Sequence, residues 1–138
     1  KSFSMTGQRR DLNREKFKLD NLLAVLNNPE SNANKNLKYL RNAMDVRSEL
    51  KQFHPCSEMK CLSKGRSDIV VIKRGKGPES VFAIHNMTEN KINYQLNDND
   101  LPKIIDNDFN THDFLTSTKY NCKNISLDPF QVIWLSAL

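Results

Sequence analysis

Arg9-Arg10-Asp11-Leu12-Asn13-Arg14 places three guanidinium groups, a carboxylate and a carboxamide within six residues. A planar guanidinium donates paired hydrogen bonds to a carboxylate or to adjacent sugar hydroxyls, a geometry that Lys cannot reproduce. Gly7 allows a tight turn, and no apolar period runs through residues 1–15, so the segment reads as a loop. Such a loop can line a polar ligand site. Taken alone, such a cluster is more often a surface patch of local ion pairs.

The other reactive side chains do not assemble into a centre. Glycoside cleavage needs two carboxylates, about 5 Å apart when configuration is retained. Asp98, Asp100, Asp106, Asp108 and Asp113 are the candidates, and they lie in or beside one polar stretch. Nothing near them would raise one pKa and spare another. Asp106-Asn-Asp108-Phe-Asn110 starts like a calcium loop, yet Thr111 stands where Gly is required and Ser117 where a bidentate Glu is required. His54, His85 and His112 are far apart, and no Ser has a nucleophile-elbow context. Cys56 and Cys61 with His54 make half a zinc site with loose spacing and no second half. No metal or cofactor is implied. Asn86-Met-Thr88 and Asn124-Ile-Ser126 fit the glycosylation pattern, as expected by chance in an Asn-rich chain.

The chain has 138 residues, enough for one compact domain with a helical appendage. Its three cysteines are an odd number, which points to reduced thiols and a cytoplasmic setting. No apolar run reaches the roughly 18–20 residues a membrane span needs. Lys1-Ser-Phe-Ser-Met reads as the interior of a longer polypeptide, without a signal sequence. Residues 1–77 carry 17 Lys/Arg against 8 Asp/Glu, net +9; residues 78–138 carry 4 against 8, net −4. The basic charges are scattered among acids with no interleaved aromatics, which argues against a nucleic-acid partner and for solvated helix faces.

Around these residues the periodicity sets out the elements. A short helix starts near Asp20, with Leu22, Leu23, Val25 and Leu26 on its buried side, and Asn27-Asn28-Pro29 ends it. Residues 30–52 form a longer helix with Leu37, Leu40, Met44 and Arg47 on one stripe, stopped by Phe53-His54-Pro55. From there the period becomes strand-like, giving a domain boundary between residues 1–55 and 56–138. Strands are expected at Met59–Leu62, Ile69–Lys73, Val81–His85, Ile92–Leu96, Asp113–Leu115, Asn124–Leu127 and Phe130–Leu135, with a long loop over 97–110. Short strands with turns between them make an antiparallel sandwich. The last strand is apolar on both sides and is expected inside it rather than on its rim. The fold class is α+β: two helices, then an all-β domain.

The ending Leu127-Asp-Pro129-Phe130-Gln131-Val132-Ile-Trp134-Leu135 resembles the last strands of the C-terminal β-domain of the α-amylase superfamily, glycoside hydrolase family 13. Thr6-Gly7-Gln8-x-Arg10-Asp11-Leu12-Asn13-Arg14, followed by a short helix, Pro29 and a long helix running to Phe53-His54-Pro55, is similar to the end of the barrel in sucrose phosphorylase-like members. The resemblance implies that residues 1–55 are the last loop and closing helices of a (β/α)8 barrel, and that the rest of the catalytic barrel is a partner in the same protein. It implies Arg14 in the glucosyl subsite, with Asn13 and Asp11 shaping that loop. It implies retaining glucosyl transfer from sucrose, sucrose phosphate or glucosylglycerate, with phosphate or another acceptor releasing the sugar. The catalytic carboxylates would lie upstream, so none is assigned here. The chain's own part would be to cover barrel helices with an apolar sheet face. An independent carbohydrate- or anion-binding module is the alternative, with Tyr94, Phe109, Phe114 and Tyr120 as candidate stacking rings; a self-sufficient small enzyme has no acid/base pair to support it.

Overall fold

A computed structural model describes residues 7, 17–101 and 110–136. Arg14, Asn13, Asp11 and the residues of the expected calcium-like loop before Asn110 lie outside them. The chain divides into two compact units, Lys1–Asn42 and Ala43–Leu138, the division falling within a helix.

The helices are α1, Leu19–Asn27, and α2, Asn32–Glu49. Their junction is dictated by short polar side chains. Asn28 Oδ1 accepts from the Glu30 N–H at 3.0 Å, and Ser31 Oγ caps α2 by accepting from the Asn34 N–H at 3.1 Å. Ser31 Oγ also donates to the Val25 carbonyl, and Asn34 Nδ2 to the Leu26 carbonyl, so the last carbonyls of α1 are satisfied. The expectation of a buried leucine side is corrected. Neither helix contains a buried residue; Leu22, Leu26 and Leu37 are half-buried, while Leu23, Val25, Leu40 and Met44 are exposed. The amphipathic period is real, but the described residues leave it largely uncovered. The second helix is also shorter than expected, giving way at Lys51–Phe53 to a 3₁₀ turn in which the Phe53 N–H donates to the Leu50 carbonyl.

The strands are β1 Met59–Cys61, β2 Ile69–Arg74, β3 Val81–Asn86, β4 Ile92–Tyr94, β5 Asn110–His112, β6 Lys119–Asn121, β7 Ile125–Leu127 and β8 Val132–Ser136. All pairings are antiparallel: a four-stranded sheet in the order β1-β2-β3-β8, and two pairs, β4-β7 and β5-β6. The register places Val71, Ile84 and Ile133 in one cross-sheet row, and Ile72, Ala83 and Trp134 in the next. Because side chains alternate, the two rows face opposite ways. The first face, with Ile69, Phe82 and Leu135, packs with Leu96, Leu101, Cys122, Ile125 and Leu127 to form the core. β-branched residues dominate the sheet side of that core, as a pleated surface favours.

Two strand expectations change. Asp113–Leu115 is not a strand: Asp113 makes a single bridge to Leu135 and then the chain turns, while β5 and β6 flank that turn. The polar residues of β5 and β6 carry no apolar alternation, so the period could not show them. Nor does β8 lie inside its sheet. It is the outer ladder, and its open edge is closed by neighbouring groups. The buried carboxylate of Asp113 accepts the Trp134 N–H at 2.7 Å, and the Phe114 N–H donates to the Trp134 carbonyl at 2.8 Å. Two residues on, Thr111 Oγ1 donates to the Ser136 carbonyl. Phe130 is not in the strand; it sits exposed in the preceding turn at φ 54°.

Asp113 also accepts from the Leu115 N–H at 3.2 Å and from Thr116 Oγ1 at 2.7 Å. Asp113→Ala would remove the acceptor that the Leu115 and Trp134 N–H groups and Thr116 Oγ1 share. A loss of about 2–4 kcal/mol in chemical unfolding is expected, with Asp113→Asn losing less because its amide oxygen can still accept.

Candidate functional site

The acidic candidates within the described residues are engaged structurally. Asp98 pairs with Lys123, and Asp100 accepts Lys60 Nζ at 2.7 Å while its main-chain oxygen accepts Lys73 Nζ at 2.6 Å. Asp113 is fully buried. These carboxylates therefore serve as acceptors for neighbouring lysines and backbone, and no acid/base pair is brought together among them. Among the described residues, no group of three or more His, Cys, Asp or Glu is placed to hold a metal ion. His54 instead uses Nδ1 to accept the Cys56 N–H at 3.2 Å. Asn86, the first sequon residue, is buried: its Nδ2 donates to the carbonyls of Asn90 and Asp128, and its Oδ1 accepts from Thr88.

The candidate stacking rings are engaged as well. Arg66 lies over the Tyr94 ring at 5.6 Å, held there by its ion pair with Asp68. Tyr120 packs against the core and accepts from Gln131 Nε2 at 3.0 Å. Phe114 meets His112 edge-on at 4.9 Å. Phe109 lies outside the described residues.

The site with most chemical potential was not legible in the sequence. It is the outer face of the four-stranded sheet, where the Ile72–Ala83–Trp134 row floors a groove of about 440 Å³. Phe53, delivered by the 3₁₀ turn after α2, packs on Trp134 with ring centroids 4.6 Å apart. Arg74 reaches back from β2, donating from Nε to the Gln52 carbonyl at 3.1 Å and from Nη2 to the His54 carbonyl at 2.8 Å, which fixes the 51–54 segment over the sheet. Arg47 and His85 complete the lining. Burial holds the His85 imidazole below its usual pKa, since the protonated form is the more costly to desolvate. An aromatic and aliphatic floor with a few donors suits binding rather than bond cleavage. The only earlier signal was the two-sided apolar pattern of β8; convergence of α2, the 3₁₀ turn, β2, β3 and β8 on one groove cannot be read from spacing.

Two predictions follow from these environments. His85 takes up its proton more readily in the unfolded chain, so stability should rise with pH from its lowered folded pKa up to about 6.5. Unfolding midpoints measured against pH should lose that slope in His85→Gln. For the thiols, Cys56 and Cys61 are exposed, whereas burial pushes Cys122 up to about 11. Iodoacetamide at pH 8 should modify Cys56 and Cys61 and reach Cys122 only in denaturant, as read by peptide mass spectrometry.

No family model matches this chain, and no curated protein matches it. Solved structures do. AmyP in complex with maltose aligns with a TM-score of 0.62 and 17% identity over 78% of this chain. The trehalose-6-phosphate hydrolase TreA of Bacillus licheniformis aligns with a TM-score of 0.56 and 18% identity over 83%. The chain spans only 21% and 20% of the lengths of those two chains. At such identities the likeness is one of fold: most of this chain's fold recurs as about a fifth of larger proteins.

Proposed function

We propose that the chain is the non-catalytic C-terminal portion of a retaining α-glucosyl phosphorylase or transferase of the α-amylase superfamily, acting on sucrose or a sucrose-like α-glucoside. The observation that carries the reading is the uncovered apolar surface of the two helices. Leu19 is 67% exposed, Leu40 56% and Met44 62%, and no residue of either helix is buried. Helices of this kind draw most of their stability from tertiary packing of the apolar stripe. A stripe left open in the chain calls for a partner surface, and the end of a barrel requires one. Fold likeness to a fifth of a maltose-bound protein and of a trehalose-6-phosphate hydrolase supports the same reading.

In this proposal the missing barrel is the partner, covering the helices and the outer sheet face, and α-glucoside and phosphate are the reactants of the whole enzyme. Arg14 reaches the glucosyl subsite from the last barrel loop, with Asn13 and Asp11 setting the loop's shape, as suits sites built at the C-terminal mouth of a barrel. Its guanidinium would hold sugar hydroxyls in the geometry that a carboxylate nucleophile attacks. Unpaired Cys56, Cys61 and Cys122 fit a reducing cytoplasm. No helix of the described residues is long and apolar enough to cross a membrane.

The test is phosphate-dependent release of glucose 1-phosphate from sucrose and from glucosylglycerate by the polypeptide that carries this chain. Arg14→Ala should lower kcat/KM by about a hundredfold or more, the scale of losing a transition-state donor. Unchanged activity would remove Arg14 from the sugar site. Absence of activity on both donors with Arg14 intact would sink the phosphorylase reading.

A further inference from the structure

The groove on the outer sheet face has an imbalance of hydrogen-bonding groups. Its floor and walls are apolar, from Ile72, Ala83, Trp134, Phe53 and Met59, and no acidic residue lines it among those described. Its polar members are chiefly donors. Trp134 Nε1 is buried with no acceptor among the described residues. Arg47, exposed in the last turn of α2, has no carboxylate partner among the described residues. Arg74 has already spent Nε and Nη2 on main-chain carbonyls, and burial lowers the His85 pKa, which disfavours a second cation there. Covering this face with an apolar surface alone would desolvate the Arg47 guanidinium and leave both it and the indole N–H unpaired, which is costly. A volume of about 440 Å³ accommodates one or two large side chains rather than an extended ligand.

We propose that the groove receives a Glu or Asp side chain carried beside an apolar residue on the protein segment that covers the sheet. The apolar residue rests on Trp134, Phe53 and Ile72, and the carboxylate meets Arg47. Charge complementarity selects this occupant: a cation with no carboxylate partner among the described residues stands beside an aromatic floor poor in acceptors. A planar guanidinium also favours a carboxylate through paired hydrogen bonds. The inference rests on the reading that a further part of the enzyme covers this face, and adds the chemistry of the covering element.

Trp134 is the only tryptophan, so its emission reports occupancy of the groove directly. The probe is 4-phenylbutyrate, an apolar body bearing one carboxylate, with 4-phenylbutanol as its uncharged counterpart, titrated into the full chain. The acid should shift Trp134 emission saturably and bind about tenfold more tightly than the alcohol; Arg47→Ala should abolish that preference and Arg47→Lys should keep part of it. Arg47 is exposed, so circular dichroism should show both variants folded. Equal affinity for acid and alcohol, acid binding indifferent to Arg47→Ala, or no response of Trp134 would each overturn the proposal. The titration reads only the groove, so its failure is separable from failure of the glucosyl-transfer assay.

Discussion

The β domain depends on how the outer edge of β8 is closed. A terminal ladder exposes alternate N–H and carbonyl groups, and an apolar one invites pairing with another chain. β8 carries Ile133 and Leu135 into the core, so it cannot be made polar enough to discourage that pairing. The solution is a side chain acting as backbone. One carboxylate oxygen of Asp113 takes the Trp134 N–H and the following Leu115 N–H, while the other takes Thr116. The same residue thus starts the β5–β6 turn and ends the main sheet. A buried carboxylate without a cation is tolerable only when its lone pairs are met by donors, and here three donors meet it.

That closure leaves the sheet with two unequal faces. One is the core, filled by residues from six of the eight strands and the loop after β4. The other is only partly covered: Phe53 lies on Trp134, and Arg74 ties the 51–54 segment down by two carbonyl contacts. These contacts leave Met59 exposed and the groove open. The uncovered helices tell a similar story from the other unit, where Leu22 and Leu26 are half-buried and their apolar neighbours face outward. In each unit the described residues leave apolar side chains exposed.

Much of this was legible where period and burial coincide. β2, β3, β7 and β8 are rich in Val, Ile, Phe and Leu, and their strand character follows from type and alternation. The helices were also legible as helices, since Asn27-Asn28-Pro29 marks their junction. Burial was not, because an apolar stripe states a need for a partner without saying that the chain contains one. β5 and β6 escaped notice because Asn-Thr-His and Lys-Tyr-Asn owe their pairing to the Asx turn of Asp113 and not to apolar alternation. Phe130 at φ 54° could not be foreseen, as an aromatic is a poor occupant of the left-handed region; its side chain is exposed and nothing in the structure accounts for its choice. Of the site residues, Arg14, Asn13 and Asp11 fall outside the described residues, while the groove was hidden because five elements build it.

The lopsided charge of the chain also acquires a physical meaning from the fold. β1 and β2 set Lys60 opposite Lys73, a like-charge pair that should weaken the ladder. Asp100, from the acidic half, reconciles them, offering its carboxylate to one and its main-chain oxygen to the other. Its carboxyl is only 12% exposed, so this contact is less screened than Lys51–Glu79, where both partners are largely in water and contribute at most about 1 kcal/mol. Leu101, the next residue, enters the core. The acidic stretch after β4 is therefore anchored by basic strands from the first half, electrostatically at Asp100 and hydrophobically at Leu101. Part of the positive charge of the first half is spent in holding the chain's own loop.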